Sequence, residues 1–165
     1  QAINKVSPTF IRVEADEVSY NLHIILRFEI ELGVLNGDIS IKDLPDAWRE
    51  KFRTYLGVVP PTDSEGVLQD VHWSLGLIGH FTSYAMGNII ASQWWHQMAQ
   101  EIPDQDVLMA QGNITPIREW LIENVHQHGK KYLPTELIQR VTGGPIDTGP
   151  YLAYLQSKYG ALYHL

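Results

Sequence analysis

Phe81-Thr82-Ser83-Tyr84-Ala85-Met86-Gly87-Asn88-Ile89-Ile90-Ala91-Ser92-Gln93-Trp94-Trp95-His96-Gln97-Met98-Ala99-Gln100-Glu101 holds no proline and shows no alternation of apolar and polar residues. A run of this length without period two cannot be a strand, and it reads as one helix from about Phe81 to Glu101. Aromatic and small residues, Tyr84, Ala85, Ile90, Ala91, Trp94 and Trp95 among them, are spread around its circumference. The helix is therefore expected to be central, with most of its faces buried.

Helical signals continue on both sides. Downstream, helices are expected at about 104–111, from Thr115-Pro116 to about His128, from Pro134 to Gly143-Gly144, and from Thr148-Gly149-Pro150 to near Tyr163. Upstream, Pro45 opens a helix that Gly57 closes. Ser7-Pro8 reads as an N-cap and first helical position, so one long helix is expected over 8–32, stopped by Gly33. No other segment alternates either, and there is no tandem repeat. The fold class is all-α, a single domain over 1–165 with six or seven helices.

With 44% hydrophobic and 19% charged residues, the 165-residue chain is globular. A net charge of -7 argues against a nucleic-acid partner, which calls for clustered Lys and Arg. No run approaches the ~20 apolar residues of a membrane span. With no cysteine, disulfides and thiolate metal sites are excluded. The first residues lack a basic flank followed by an apolar stretch, so the expected setting is cytoplasmic.

The densest chemistry lies in Gly66-Val67-Leu68-Gln69-Asp70-Val71-His72-Trp73. If this turn is helical, Gln69 and His72 share one face and Asp70 and Trp73 a neighbouring one. Such a cluster can present an amide and a titratable ring to a substrate, His72 donating to a developing oxyanion. It can equally be a satisfied core cluster, with Asp70 and His72 bonded to backbone. On the first expected helix, Arg12, Asp16, Ser19, His23 and Arg27 fall in one stripe about 80° wide. A solvent-facing stripe is its ordinary explanation. The sharper reading is a cleft-lining seam, in which Arg12 grips a carboxylate and Asp16 steadies it.

Complete catalytic sets are missing. The seven histidines, at 23, 72, 80, 96, 126, 128 and 164, include no pair four apart, so no His-Glu-x-x-His zinc motif occurs. No nucleophile elbow, phosphate loop or dinucleotide fingerprint is present.

Ile11-Arg12-Val13-Glu14-Ala15-Asp16 and Gly66-Val67-Leu68-Gln69-Asp70-Val71-His72-Trp73 resemble two signatures of the carboxypeptidase Taq family of zinc metallocarboxypeptidases, Ile-Arg-x-x-Ala-Asp and Gly-x-x-Gln-Asp-x-His-Trp. The likeness extends through Lys42-Asp43-Leu44-Pro45, Lys130-Lys131-Tyr132-Leu133-Pro134 and Lys158-Tyr159-Gly160. Family members are much longer and carry their zinc motif upstream, so this chain corresponds to their C-terminal third. The resemblance implies a substrate-binding portion of an enzyme that removes single residues from peptide C-termini. Zinc or another divalent metal is then expected in the full-length protein, with no ligands for it here and no activity of this part alone. Arg12, Asp16, Gln69, Asp70 and His80 become substrate-binding candidates, and His72 and Tyr84 catalytic ones.

Tyr84 enters because related all-helical zinc peptidases pair a His and a Tyr at the oxyanion. Many members read Gly-Tyr-Phe-Pro-Thr-Tyr where this chain has Gly79-His80-Phe81-Thr82-Ser83-Tyr84, so His80 replaces a common phenol. If that first tyrosine is the oxyanion donor, Tyr84 is packing. Ser19, His23 and Arg27 match no motif and stay assigned to solvent. The alternative function is a non-catalytic helical interaction module. As a fragment, the chain is expected to expose an apolar face where the missing part would dock, favouring a homo-oligomer.

Overall fold

The computed structural model describes residues 2–165. Among them are seven α-helices and no strand: α1 Tyr20–Asn36, α2 Leu44–Leu56, α3 Thr82–Glu101, α4 Gln105–Ala110, α5 Thr115–Asn124, α6 Pro134–Thr142 and α7 Gly149–Tyr163. The all-α expectation holds, and α2 to α7 lie within a few residues of their sequence-predicted spans. The chain divides into two compact units, residues 1–85 and 86–165, with the division inside α3.

In the first unit α1 packs on α2. Leu26 and Ile30 of α1 meet Trp48, Phe52 and Leu56 of α2, with Val67 closing the cluster and Trp73 packed against it. Their spacing of four residues puts each set on one helical face. Phe52 is fully buried and stacks on Trp48, a pairing that adds about 0.5–1.5 kcal/mol to the area it removes from water. In the second unit Met98, Trp120 and Val125 form the core, with Trp94, Trp95, Ile117 and Val141 around it. The buried Gln93 of α3 reaches across to the 145–147 loop, donating to the Pro145 carbonyl and accepting from the Asp147 amide.

Four expectations are corrected. The first helix does not run over 8–32. Residues 8–19 hold a 3-10 turn at Arg12–Glu14 and a hydrogen-bonded turn over 17–19, and α1 starts at Tyr20. The cause is Asp16, whose Oδ1 accepts from the amides of Val18 and Ser19 while Oδ2 accepts from Ser19 Oγ and the Ser7 amide. That carboxylate caps the orphan amides where the helix begins, so Ser7-Pro8 is not the start. Nor is Gly33 the stop. A Cβ there would lie 2.7 Å from Ile39 Cδ1, so Gly33 serves close packing. The helix ends at Gly37, φ 81°, whose amide bonds back to Val34.

Second, Ser19, His23 and Arg27 do not face solvent; all three are buried. Third, α3 is less enclosed than expected, with only Gln93 and Met98 buried, while Ile89, Ile90, Trp94 and Trp95 are half-buried. The helix between Gly66 and Trp73 does not form either. That segment is a series of turns leading into a 3-10 turn at Trp73–Leu75.

Candidate substrate-carboxylate site

The turns of 66–73 have a consequence for chemistry. Because they are not helical, Gln69 and His72 do not share a face, and Gln69 and Asp70 are directed into the polar side of α1. Gln69 has all of its valences filled. Its Oε1 accepts from the Arg12 amide at 2.8 Å and Arg27 Nη2 at 2.7 Å, and its Nε2 donates to the carbonyls of Phe10 and Glu65. It ties the 10–12 segment, α1 and the 65–69 turns together, and is an organiser rather than a free substrate ligand.

Asp70 is shared by two arginines. Arg12 Nε and Nη2 donate to Oδ1 at 3.1 and 2.7 Å, and Arg27 Nε donates to Oδ2 at 2.7 Å. Arg27 Nη1 adds a bond to the His23 carbonyl, and Arg12 Nη1 one to Tyr20 Oη at 3.0 Å. The group that holds Arg12 is therefore Asp70. The sequence reading gave that task to Asp16, which is committed to the start of α1. Three of the five N–H groups of Arg12 are engaged in these side-chain bonds, and its guanidinium lies 5.0 Å above the Tyr84 ring. Arg27 is sealed off, its guanidinium packed on the rings of Trp48 and Phe81.

Burial works against every charge here, and the outcomes differ. At Arg12 it is outweighed by Asp70 and Tyr20, and the pKa rises. At Asp70 it is outweighed by the two arginines, and the carboxylate is held below its usual range. At Arg27 burial wins over Asp70 and lowers the pKa to about 10, leaving it charged at neutral pH.

His72, Tyr84 and His80 come together beside this cluster. His72 Nε2 lies 3.0 Å from Tyr84 Oη, and its Nδ1 lies 3.8 Å from Asp70 Oδ1. The exposed His80 ring stacks on His72 and meets Tyr84 edge-on, each with centroids 5.5 Å apart. Burial, with Arg12 and His80 adding to it and Asp70 opposing, depresses the His72 pKa. The shift favours the neutral ring, whose Nε2 is engaged with Tyr84 Oη and whose Nδ1 is buried. Arg12 and His72 do converge, on Asp70 and on Tyr84.

Of the predicted residues, Arg12, Gln69, Asp70, His72, His80 and Tyr84 are gathered in one region and Asp16 stands apart from its guanidinium. Sequence reasoning missed Arg27 and Tyr20. The signal for Arg27 was its place in the polar stripe, which was assigned to water for want of a motif. A cavity of about 150 Å³ in the same unit is lined by Glu31, Val34, Leu35, Ile41, Leu44, Trp73 and Ile78, and by none of the predicted site residues. Its apolar wall does not suit a carboxylate. Among the described residues no group of three or more His, Asp or Glu side chains is arranged to hold a metal ion. The described residues do not fit a metal centre.

The comparisons with known proteins fall on this geometry. Residues 1–159 match the model of the carboxypeptidase Taq (M32) metallopeptidase family. The chain belongs to that family. Carboxypeptidase 1 of Bacillus subtilis is 46% identical over 165 residues, all of this chain and 33% of its own length. Thermostable carboxypeptidase 1 of Pyrococcus furiosus is 39% identical over 156 residues, 94% of this chain and 31% of its own. The crystal structure of the M32 carboxypeptidase from Deinococcus radiodurans R1 superposes with a TM-score of 0.97 at 43% identity, covering 99% of this chain and 33% of that one. The chain thus spans about a third of the length of the relatives it matches, and among the described residues no helix is long and apolar enough to cross a membrane.

Proposed function

We propose that this chain is the C-terminal, substrate-handling portion of a zinc metallocarboxypeptidase that removes single residues from peptide C-termini. The observation that supports it is the meeting of Arg12, buried with its side chain 8% exposed, with Asp70 and the face of Tyr84, beside the bonded pair of His72 and Tyr84. Arg12 offers its remaining N–H groups to the terminal carboxylate of a peptide. His72 and Tyr84, joined through Nε2 and Oη, form the donor pair for the carbonyl oxygen of the terminal peptide bond as it gains charge, a role worth ~2.7–4 kcal/mol where such donors have been removed. The metal and the group that activates water come from residues other than those described here, so this portion alone hydrolyses nothing.

Binding tests this reading directly. An N-acetylated dipeptide with a free carboxylate should shift the Tyr84 and His72 ring resonances, its C-terminal amide should not, and Arg12→Gln should remove the difference. Equal binding of acid and amide by the unmodified chain would sink it. Release of amino acid by this chain with zinc added, abolished in His72→Ala, would show instead that the portion is catalytically complete.

A further inference from the structure

Two guanidiniums and one carboxylate share the buried cluster, which leaves a surplus of one positive charge. How that surplus is placed depends on Arg27. Its Nε occupies Oδ2 of Asp70, so Arg12 is confined to Oδ1, to which both Nε and Nη2 must donate. A lone arginine facing the same aspartate would take both oxygens in parallel, the preferred fork arrangement, and would be neutralised by it. Arg27 also bonds Gln69 Oε1, the atom that receives the Arg12 backbone amide. It is sealed from solvent beneath Trp48 and Phe81 and cannot meet a ligand itself.

We propose that Arg27 is a positioning residue: by holding one oxygen of Asp70 and the Oε1 of Gln69, it leaves Arg12 with less than a full counter-charge and so able to take the carboxylate of a peptide. This rests on the reading of Arg12 above and adds to it the source of its unbalanced charge. Sharing of one carboxylate is what leaves Arg12 receptive, since an arginine already paired in full gains little from a second anion.

Charge counting supplies the test. The cluster carries one net positive charge in the unmodified chain, none in Arg27→Gln, and one again in Arg27→Gln combined with Asp70→Asn. Affinities of the N-acetylated dipeptide acid and its amide are measured for each by NMR titration, with circular dichroism to verify folding. The acid-over-amide preference should fall about tenfold or more in Arg27→Gln, the size of one charge-assisted hydrogen bond. It should return in the double variant, which a merely structural role of Arg27 would not produce. Arg27→Lys keeps the charge and should keep most of the preference; it and the double variant carry the test if Arg27→Gln does not fold. An undiminished preference in folded Arg27→Gln, or its loss in both Arg27→Lys and the double variant, overturns the proposal. Absence of any preference in the unmodified chain instead overturns the assignment of Arg12.

Discussion

The unit of residues 1–85, which carries Asp70, buries Arg12, Arg27, His23, Ser19, Glu31 and His72. The unit of residues 86–165 gathers Met98, Trp120 and Val125 into its core, and its buried polar side chains are two uncharged glutamines, Gln93 and Gln105. Both units are helical and similar in length, yet their interiors answer to different forces. Apolar burial is proportional to area and indifferent to pH. Buried charge is held by a few directional bonds, and its removal from water is repaid only while every partner stays in place. The first unit is accordingly the one whose stability follows protonation and single-residue changes, and it is the unit that holds the candidate site.

The sharpest way to break this contrast is to remove the shared counter-ion. Asp70→Ala strands two guanidiniums in a protein interior, and chemical denaturation should show a loss of about 3–5 kcal/mol. A change within experimental error would mean that the cluster is hydrated and the contrast false.

The next effect is a pH dependence confined to the first unit. His23 is fully buried, both ring nitrogens lack a hydrogen-bond partner among the described residues, and its ring meets Phe52 edge-on. Burial first, then the positive charges of Arg27 and Arg12, lower its pKa from 6.5 to about 4. The folded chain therefore binds this proton less readily than the unfolded chain. The stabilisation is fully present above pH 6.5 and is lost as pH falls toward 4, by about 3 kcal/mol. Denaturation midpoints across that window should decline and flatten in His23→Phe. Asp70, whose pKa is depressed, adds its own loss only below the ordinary carboxylate value near 3.8. A His23→Phe chain with an unchanged slope between pH 6.5 and 4 would remove His23 from the account.

The smallest effect lies in the second unit. Gln93→Leu leaves the Pro145 carbonyl and the Asp147 amide unpaired and should cost about 1–3 kcal/mol. Because no charge is involved, the loss should be the same at pH 6.5 and pH 4.5. A loss that grows with acidity would show that titration reaches this unit as well.

Much of the fold could be read from punctuation. Pro45 and Gly57, Thr115-Pro116, Pro134 and Gly143, and Gly149-Pro150 act within one turn of themselves, through a fixed φ or a left-handed residue, so their effect does not depend on distant partners. The start of α1 could not be read that way. Ser7-Pro8 and Asp16 are both valid helix openings, and the choice fell to Asp16 because its carboxylate gathers four bonds, one of them from Ser7 itself. The same limit applied to the site. Arg12, Gln69, Asp70 and His72 were legible as chemistry, and their family was legible from their spacing. Arg27 was not, because a polar stripe on a helix has one appearance whether water or a carboxylate 43 residues away completes it.

The sequence by itself determined the helical class, most helix ends, the family and the membership of the polar cluster, since these depend on local dihedral preference and on residue identity at fixed spacing. Only the tertiary structure decided which carboxylate serves which arginine. Asp70 and Asp16 are alike in chemistry and differ in where the chain carries them, and a buried ion pair forms between groups that meet within hydrogen-bond reach, however far apart they stand in sequence.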